Sequence, residues 1–562
     1  MIPQAGRPGM GLGAPVYVLN QKTKTDRGRE ARLGNIRAAK AVADVVRTTL
    51  GPRSMLKMIL DPMGGIVLTN DGNSILREID VSHPAARSII DLSRTQDEEV
   101  GDGTTSVIIL AGEILSISEP LLERKLHPTV IVKAFFLALN DALKVVEKTS
   151  FTIDVKDTKQ VIKVIKSCLG TKFLSRSSDL LAKLALEAVL CVTTTDGDHK
   201  EIDLKRYAKI EKVPGGVLTD SRVLRGVMFN KDIIHSSMRR KIDNPRVLLL
   251  DCPVEYRKGE SMTSVEVMKD EDWAALLKME EEEMERMCAD ILKHKPDVLV
   301  TEKGISDYAA HILMKNNVSV IRRLRKTDNN RIARVTGATI CHRTDEIRDE
   351  DVGTKCGLFV VRKIGDEYFT FMEECEDPKA CTILLRGPSK DFLNEVERNL
   401  HDAMGVARNI VFDPRLCPGG GAVEMAVSQA LMENLGNVEG VLQYPYEALA
   451  LSLEVIPRTL AQNCGANVVR VITELRSKHT GGANSSWGVN GDTGKLADMK
   501  ELGVWEPLAV KEQTMKTAVE ASAMLLRIDE IVSGIKKRKD GGGDGRPAPP
   551  PEEMEGAGGE AM

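Results

Sequence analysis

Apolar residues recur at steps of three and four between positions 29 and 50, which predicts a helix with one buried stripe. The stripe consists of Ile36, Ala39, Ala43, Val46 and Leu50. Gly51-Pro52 follows directly. This pair predicts the end of the helix, because glycine suits a left-handed cap and proline cannot continue the helix.

Short apolar stretches and turn residues come next. Residues 58–60 and 66–69 flank Asp61-Pro62-Met63-Gly64-Gly65, which predicts a β-hairpin. Asn70-Asp71-Gly72 predicts a second tight turn. Helices are predicted over 84–100, from 105 to about 125, over 128–148 and over 179–192.

The middle of the chain has a different pattern. Short apolar strands at 247–251, 297–301 and 318–322 alternate with helical stretches at 271–293 and 305–316, which predicts a small α/β domain. Residues 256–287 are highly polar and predict a solvated helical excursion.

Helical patterns return after about residue 391, with helices predicted over 397–409, 421–435, 444–465 and 511–537. A helical beginning and a helical end around a different middle indicate one discontinuous domain that carries an insertion. From Lys539 onward the chain is rich in glycine and proline and is predicted to be disordered.

Length and charge narrow the class of protein. The 562 residues point to about three or four domains. The 78 basic and 82 acidic side chains give a net charge of −4, and only 4% of residues are aromatic, which argues against a dedicated nucleic-acid coat. Two basic runs, Arg239-Arg240-Lys241 and residues 322–326, keep nucleic-acid binding open as an alternative to a solvated or inter-subunit surface.

The cellular compartment is indicated by signals that the sequence lacks. The first thirteen residues show no basic-then-apolar signal, and the best apolar run, 106–115, is short and contains Glu113, so we expect no membrane span. None of the ten cysteines forms a C-x-x-C pair. We therefore expect reduced thiols in a cytoplasmic protein.

Common catalytic motifs are missing. The nearest approach to a Walker loop, residues 488–496, has five residues between its glycines, and Leu496 stands where Ser or Thr is required. No G-x-G-x-x-G, H-E-x-x-H or G-x-S-x-G is present. Ordinary P-loop ATPases, dehydrogenases, metalloproteases and esterases are therefore not supported.

One segment carries phosphate-binding chemistry. Gly101-Asp102-Gly103-Thr104-Thr105-Ser106 precedes an apolar helix, whose first amides are unpaired and suit an anion. Asp102 would repel phosphate directly, but it suits a Mg²⁺ ion that bridges to phosphate. The alternative is an ordinary aspartate cap with a threonine-rich first turn. Leu50-Gly51-Pro52, Asn70-Asp71-Gly72 and residues 417–421 are weaker signals, since each also suits a plain helix end or turn.

These segments in this order resemble the ATP-site signature of the chaperonin family: residues 48–52, 70–72, 101–105 and 418–421. Residues 487–491, 498–499 and 506–507 resemble the base side of the same site. The polar excursion resembles the built-in lid of the group II branch, which is archaeal and eukaryotic-cytosolic. Residues 15–20 and 224–230 resemble one subunit type within that branch, and the likeness covers about residues 15–537.

The resemblance implies a multidomain α+β chaperonin fold. A mostly helical, discontinuous equatorial domain would comprise residues 1–153 and 414–562. A small intermediate hinge domain would comprise 154–226 and 380–413. An inserted α/β apical domain with a helical lid protrusion would comprise 227–379.

The resemblance also implies roles for single residues. Asp102 corresponds to the Mg²⁺ ligand, and Asp71 and Asp402 correspond to the two catalytic carboxylates. The residues corresponding to contacts with ATP or ADP are Leu50, Gly51, Pro52, Gly103, Thr104, Thr105, Ser106, Thr171, Lys172, Gly420, Gly421, Gly491, Glu506 and Lys511.

A subunit of an ATP-dependent double-ring molecular chaperone is the implied function. Its implied partners are paralogous subunits, eight per ring, and non-native cytosolic proteins such as actin and tubulin, with no nucleic acid and no membrane. A non-hydrolysing scaffold subunit is the alternative. The presence of Asp71, Asp102 and Asp402 favours the hydrolysing subunit.

Overall fold

A computed structural model describes residues 24–60, 64–172, 175–197, 199–256, 270–482 and 484–533. The hairpin residues 61–63, the first half of the polar excursion at 257–269 and the tail from Lys539 lie outside them. The described residues form two compact units, one within 1–34 and 528–562 and one spanning 35–527.

The first part of the chain is mostly helical, as predicted. Its elements are β1 (Lys24–Arg27), α1 (Gly28–Arg47), β2 (Lys57–Leu60), β3 (Ile66–Thr69), α2 (Gly72–Glu78), α3 (Pro84–Glu99), α4 (Thr104–Glu123), α5 (Pro128–Thr149) and β4 (Phe151–Thr152). The tight turn predicted at Asn70-Asp71-Gly72 is wrong. Helix α2 begins there instead, because the Asp71 carboxylate accepts the Ser74 amide at 3.0 Å and caps it.

The middle part combines helices with several small sheets. Its first elements are α6 (Thr158–Leu169), α7 (Ser178–Val192), β5 (Thr194–Asp196), β6 (His199–Glu201), α8 (Leu204–Tyr207), β7 (Ala208–Pro214), β8 (Arg222–Leu224), β9 (Val227–Phe229), β10 (Lys241–Asp243) and β11 (Val247–Leu250). They continue with α9 (Asp270–Lys293), β12 (Val298–Thr301), α10 (Asp307–Lys315), β13 (Ser319–Ile321), α11 (Lys326–Thr336), β14 (Ile340–Cys341), β15 (Leu358–Ile364), β16 (Glu367–Glu373), β17 (Cys381–Gly387) and α12 (Lys390–Phe412).

The predicted α/β core is confirmed in this middle part. Strands β11, β12 and β13 are parallel neighbours in the order β13-β12-β11-β14, with Val247 opposite Val298 and Val298 opposite Ser319. All residues of β11 and β12 are buried, because apolar residues of α9, α10 and α11 share their core. An antiparallel sheet, β10-β15-β16-β9, contributes to the same core.

A separate core forms where the chain enters and leaves this middle part. Strand β17 lies between β7 and β8, and the helices α6, α7 and α12 pack with it around buried apolar side chains that include Leu400 and Met404. The sequence patterns did not predict α6 or this three-stranded sheet. Helix α12 begins seven residues earlier than predicted, where Ser389 caps it by accepting the Phe392 amide at 3.2 Å.

The last part returns to helices. Its elements are β18 (Arg415–Pro418), α13 (Ala422–Asn434), α14 (Gln443–Leu453), α15 (Val455–Asn463), α16 (Val468–His479), β19 (Trp487–Val489), β20 (Leu496–Asp498), α17 (Met499–Leu502), β21 (Trp505–Pro507), α18 (Leu508–Leu526) and β22 (Glu530–Ser533). The single helix predicted over 444–465 is two helices that meet at Glu454. The helix predicted to reach residue 537 ends at Leu526, and the chain continues as β22.

Helices from the first and last parts share one core. Helix α4 packs against α18, α14 and α3, and α5 packs against α13, α14 and α18. Among the described residues, α4 alone is long and apolar enough to cross a membrane, but 56% of its most apolar window is buried inside the fold. With more than half of that window buried against neighbouring helices, α4 is a core helix of the fold.

The small unit is held together by its two strands. Strand β1 pairs antiparallel with β22, with Lys24 opposite Ser533 and Arg27 opposite Glu530. Arg27 Nε donates to Glu530 Oε1 at 2.7 Å, and the Gly28 amide donates to the Asp529 carbonyl at 2.6 Å.

Candidate functional site

A cavity of about 760 Å³ opens beside the first turn of α4. It is lined by every predicted site residue except Asp71 and Asp402: Leu50, Gly51, Pro52, Asp102, Gly103, Thr104, Thr105, Ser106, Thr171, Lys172, Gly420, Gly421, Gly491, Glu506 and Lys511. The fold therefore brings together segments that lie more than 400 residues apart in the sequence.

The loop from Gly101 to Gly103 sets one wall of this cavity. Gly101 and Gly103 have φ angles of 73° and 78°, a backbone region that favours glycine. Gly103, and not Asp102, is the N-cap of α4, and no side chain caps this helix. The Asp102 carboxylate instead accepts the Gly103 amide at 2.7 Å, so the simple aspartate-cap alternative is wrong.

Asp71 and Asp402 meet next to this loop. Lys172 Nζ lies 2.6 Å from Asp402 Oδ2 and 3.9 Å from Asp71 Oδ1. Asp71 also accepts the Thr104 hydroxyl at 3.1 Å, which connects the pair of carboxylates to the first residue of α4. All three charged side chains are buried, between 11% and 12% exposed.

The pKa values of the two carboxylates shift in opposite directions although burial opposes ionisation of both. Burial raises the pKa of Asp402 well above its usual range, and the nearby negative charge of Asp71 adds to this effect although Lys172 opposes it. Burial also opposes ionisation of Asp71, but the Lys172 charge and the hydrogen bonds from Ser74 and Thr104 outweigh it and lower the pKa of Asp71. Burial disfavours the charged form of Lys172, yet the Asp402 and Asp71 carboxylates raise its pKa.

The segment that carries Lys172 is fixed to the helical part by its backbone. The carbonyl of Thr171 accepts hydrogen bonds from Asn70 Nδ2 at 2.9 Å and from the Ser54 hydroxyl at 3.2 Å. Asn70 also donates to Ser54 at 3.0 Å. Lys172 therefore reaches the two carboxylates from a backbone that Asn70 and Ser54 hold in place.

Glycines allow close approach on the opposite wall. A Cβ on Gly420 would lie 2.6 Å from the Met499 sulfur, and a Cβ on Gly491 would lie 2.4 Å from the Pro52 ring. Gly420 and Gly421 also have φ angles of 64° and 77°. Glycine suits these positions because a larger residue would clash with Met499 or Pro52 or strain the loop.

An ion-pair triad of buried Lys511, buried Glu424 and half-buried Glu506 lies at this end of the cavity. Lys511 Nζ is 2.6 Å from Glu424 Oε1 and 2.7 Å from Glu506 Oε2, and Lys511 and Glu424 are 5% and 3% exposed. Burial raises the pKa of Glu506, and the two carboxylates raise the pKa of Lys511 although burial opposes this. The triad holds two negative charges against one positive charge.

Several residues around the cavity were missed from the sequence. Glu424 follows the glycine loop by three positions, and Gln96 precedes Asp102 by six, but neither belongs to a motif that the sequence analysis used. Cys168 also lines the cavity, and burial raises the pKa of its thiol. No pattern in the chain distinguishes these residues from ordinary helix positions.

One of the two basic runs, residues 239–241, has structural partners. Arg239 donates to the Asn317 carbonyl and to Asp297, and Arg240 pairs with Asp232 at 3.3 Å. These partners favour a structural role over nucleic-acid binding for this run. No disulfide joins the ten cysteines, all of which lie within the described residues.

Comparisons with known proteins identify the family of this chain. The TCP-1/cpn60 chaperonin family matches residues 42–536. A T-complex protein 1 subunit gamma from Oxytricha granulifera is 63% identical over 95% of this chain and 96% of its own length. Proteins of the same name from Xenopus laevis and Homo sapiens are 59% and 60% identical, over 96% and 94% of this chain and 99% and 96% of their own lengths.

The segments 15–20 and 224–230, which resemble one subunit type, agree with the names of these relatives, because the gamma subunit is that type. The match extends across both helical parts and the inserted middle. The chain therefore belongs to the TCP-1/cpn60 chaperonin family, as a gamma-type subunit of the eukaryotic chaperonin complex that folds cytosolic proteins.

Proposed function

We propose that this chain binds Mg²⁺-ATP in the cavity beside α4 and hydrolyses it, as an active subunit of a double-ring chaperone in the cytoplasm. One observation supports hydrolysis above the others. Asp71, Lys172 and Asp402 form a buried cluster immediately next to the Asp102 loop. A subunit that served only as a scaffold would not need two carboxylates and a lysine buried at the edge of a nucleotide cavity.

The residues of the cavity fit a nucleotide. A Cβ on Gly103, Gly420 or Gly491 would lie 3.0 Å or less from neighbouring protein atoms, so glycine lets the loops around the cavity pack closely. The hydroxyls of Thr104, Thr105 and Ser106, which line the cavity, supply donors for phosphate. No cluster of three His, Cys, Asp or Glu side chains suited to a metal occurs among the described residues. A magnesium ion held by Asp102 would thus take its remaining ligands from phosphate and water, as Mg²⁺ usually does in nucleotide sites.

Bound magnesium would neutralise charge on the phosphates during transfer. The side chains supply the rest. Asp402, whose pKa burial raises, accepts a proton from a water molecule or orients it in line with the terminal phosphate. Asp71 remains ionised and holds Lys172 and the Thr104 hydroxyl in place. Lys172 keeps the two carboxylates together by balancing their charge.

Asp402 belongs to α12, which packs against α6, α7 and β17, whereas Asp102 precedes α4 in the helical core. In the domain division implied by the family, α12 lies in an intermediate domain (154–226 and 380–413) between equatorial and apical domains. Hydrolysis then requires that this hinge close onto the nucleotide, which couples turnover to enclosure of the substrate protein by the apical lid.

The proposed partners are paralogous chaperonin subunits, eight per ring, and non-native proteins such as actin and tubulin. Exposed apolar apical surface would recognise chains that themselves expose apolar surface. A native mass near one megadalton, about sixteen copies of a 61.6 kDa chain, supports the double ring. A mass of half that value contradicts it.

The test of hydrolysis is Asp402→Ala in this subunit of the assembled complex. We expect loss of ATP turnover at this site, by about a hundredfold or more, with nucleotide binding retained. The exposed Asp391→Asn on the same helix serves as the control and leaves turnover unchanged. Unchanged turnover in Asp402→Ala supports the scaffold alternative instead.

A further inference from the structure

Gln96, on the last turns of α3, makes hydrogen bonds with both its backbone and its side chain around the Asp102 loop. Its backbone carbonyl accepts the Val100 amide at 3.0 Å and the Gly101 amide at 3.3 Å. Its side-chain nitrogen donates to the Asp102 carbonyl at 3.1 Å and to the Thr514 hydroxyl oxygen at 3.2 Å. The side chain is fully buried.

The orientation of the Gln96 amide follows from its neighbours. The Asp102 carbonyl can only accept, and the Thr514 hydroxyl already donates to the Val510 carbonyl at 2.7 Å. Both positions therefore require the NH₂ group of Gln96, and its oxygen points elsewhere. That oxygen is buried and has no hydrogen-bond partner among the residues that the structure describes.

These bonds fix the peptide between Asp102 and Gly103. In a trans peptide the carbonyl and the amide point in opposite directions. Because Gln96 holds the Asp102 carbonyl, the Gly103 N–H is directed away from Gln96, where the Asp102 carboxylate now accepts it at 2.7 Å. The same anchor thus sets the direction of an amide suited to phosphate and the position of the carboxylate suited to Mg²⁺.

We propose that Gln96 is a positioning residue for the phosphate end of the site, acting through the Asp102–Gly103 peptide and braced by Thr514 of α18. This inference rests on the proposed nucleotide site. It adds that the loop glycines alone do not hold the loop in its binding conformation. A side chain from α3, six residues earlier, selects that conformation.

The test uses Gln96→Met in this subunit of the assembled complex, with photolabelling by 8-azido-ATP and separation of the labelled subunits. Methionine has nearly the shape of glutamine, and it removes the unpartnered buried oxygen, so the fold is retained. We expect the labelling affinity in the presence of Mg²⁺ to fall about tenfold. Labelling without Mg²⁺ should fall less, because Asp102 then has no ion to hold and only the contact of the Gly103 amide with phosphate is weakened.

Two further variants complete the design. Thr514→Val removes one of the two acceptors and is expected to give the same pattern with a loss of about threefold, and it decides the question if Gln96→Met does not assemble. Gln513→Met is the matched control and labels normally, because the Gln513 side chain donates to Thr517 at 3.1 Å and makes no hydrogen bond with the Asp102 loop among the described residues.

The positioning role is overturned if the labelling affinity of Gln96→Met falls equally with and without Mg²⁺, or does not fall. A merely structural residue would weaken labelling alike under both conditions. If the unmodified subunit is not labelled under either condition, the proposed nucleotide site itself is wrong. The two failures are therefore distinguishable.

Discussion

Lys172 donates to Asp402 across 2.6 Å, and this ion pair connects the segment after α6 with the middle of α12. Asp71, at the start of α2, lies 3.9 Å from the same ammonium. Three separate parts of the chain therefore meet at one positive charge. Since the charges are buried, the pair is far more sensitive to loss of one partner than an exposed ion pair.

Lys172→Met is expected to destabilise this junction by about 3 kcal/mol, because it leaves two buried carboxylates facing each other. The measurement is hydrogen exchange of the backbone amides in residues 169–172 and in α12. We expect their exchange through local opening to become roughly hundredfold faster. The double variant Lys172→Met with Asp402→Asn removes the repulsion and should recover most of the loss. Equal exchange in the single and double variants contradicts a charge-based role.

As the pH is lowered, ATP turnover should be lost at a higher pH than it would be if the essential carboxyl had the pKa of an ordinary aspartate. Asp402 must be ionised to accept a proton, and burial raises its pKa well above the usual value. Below that pKa the carboxyl is protonated and turnover is lost, and above it turnover is regained. Turnover that is constant down to pH 4.5, with nucleotide labelling constant over the same range, would falsify this assignment.

Gly491→Ala should weaken ATP binding several-fold. Its new Cβ would lie 2.4 Å from two atoms of the Pro52 ring and force apart two loops that line the cavity. We expect a higher KM with little change in kcat, because the variant does not touch Asp71, Lys172 or Asp402. Gly436→Ala is the control, since a Cβ there has open space and its φ is not left-handed.

Glu424→Gln should raise the KM for ATP by about three- to tenfold. Without the Glu424 charge, Lys511 pairs only with Glu506 and draws that carboxylate away from the nucleotide. The exposed Glu433→Gln on the same helix controls for loss of a negative charge. A normal KM accompanied by lower thermal stability indicates that Glu424 only supports packing.

Much of the fold follows from local patterns. The apolar stripe from Ile36 to Leu50 predicts α1. Pro84 and Pro128 predict the starts of α3 and α5, because proline is favoured in the first turn of a helix. The buried strands β11, β12 and β13 were recognisable as apolar runs. These elements are predictable because their signals lie within a few consecutive residues.

Other elements depend on partners that are distant in sequence. Helix α12 extends to Lys390 because Ser389 caps it and its buried face meets α6 and α7, neither of which is adjacent in the chain. The helix after Leu508 ends at Leu526 because the following residues pair with β1. Such boundaries are decided by tertiary contacts that override local propensity.

The glycine, aspartate and threonine segments were sufficient to predict residues that line one cavity, since each motif needs only its own few residues. The tertiary structure alone decided that Gln96 and Glu424 lie beside the cavity. It also decided that Lys172 contacts Asp402. Hydrogen bonds and ion pairs act over about 3 Å in space, and the sequence does not show which distant side chains folding will bring within that reach.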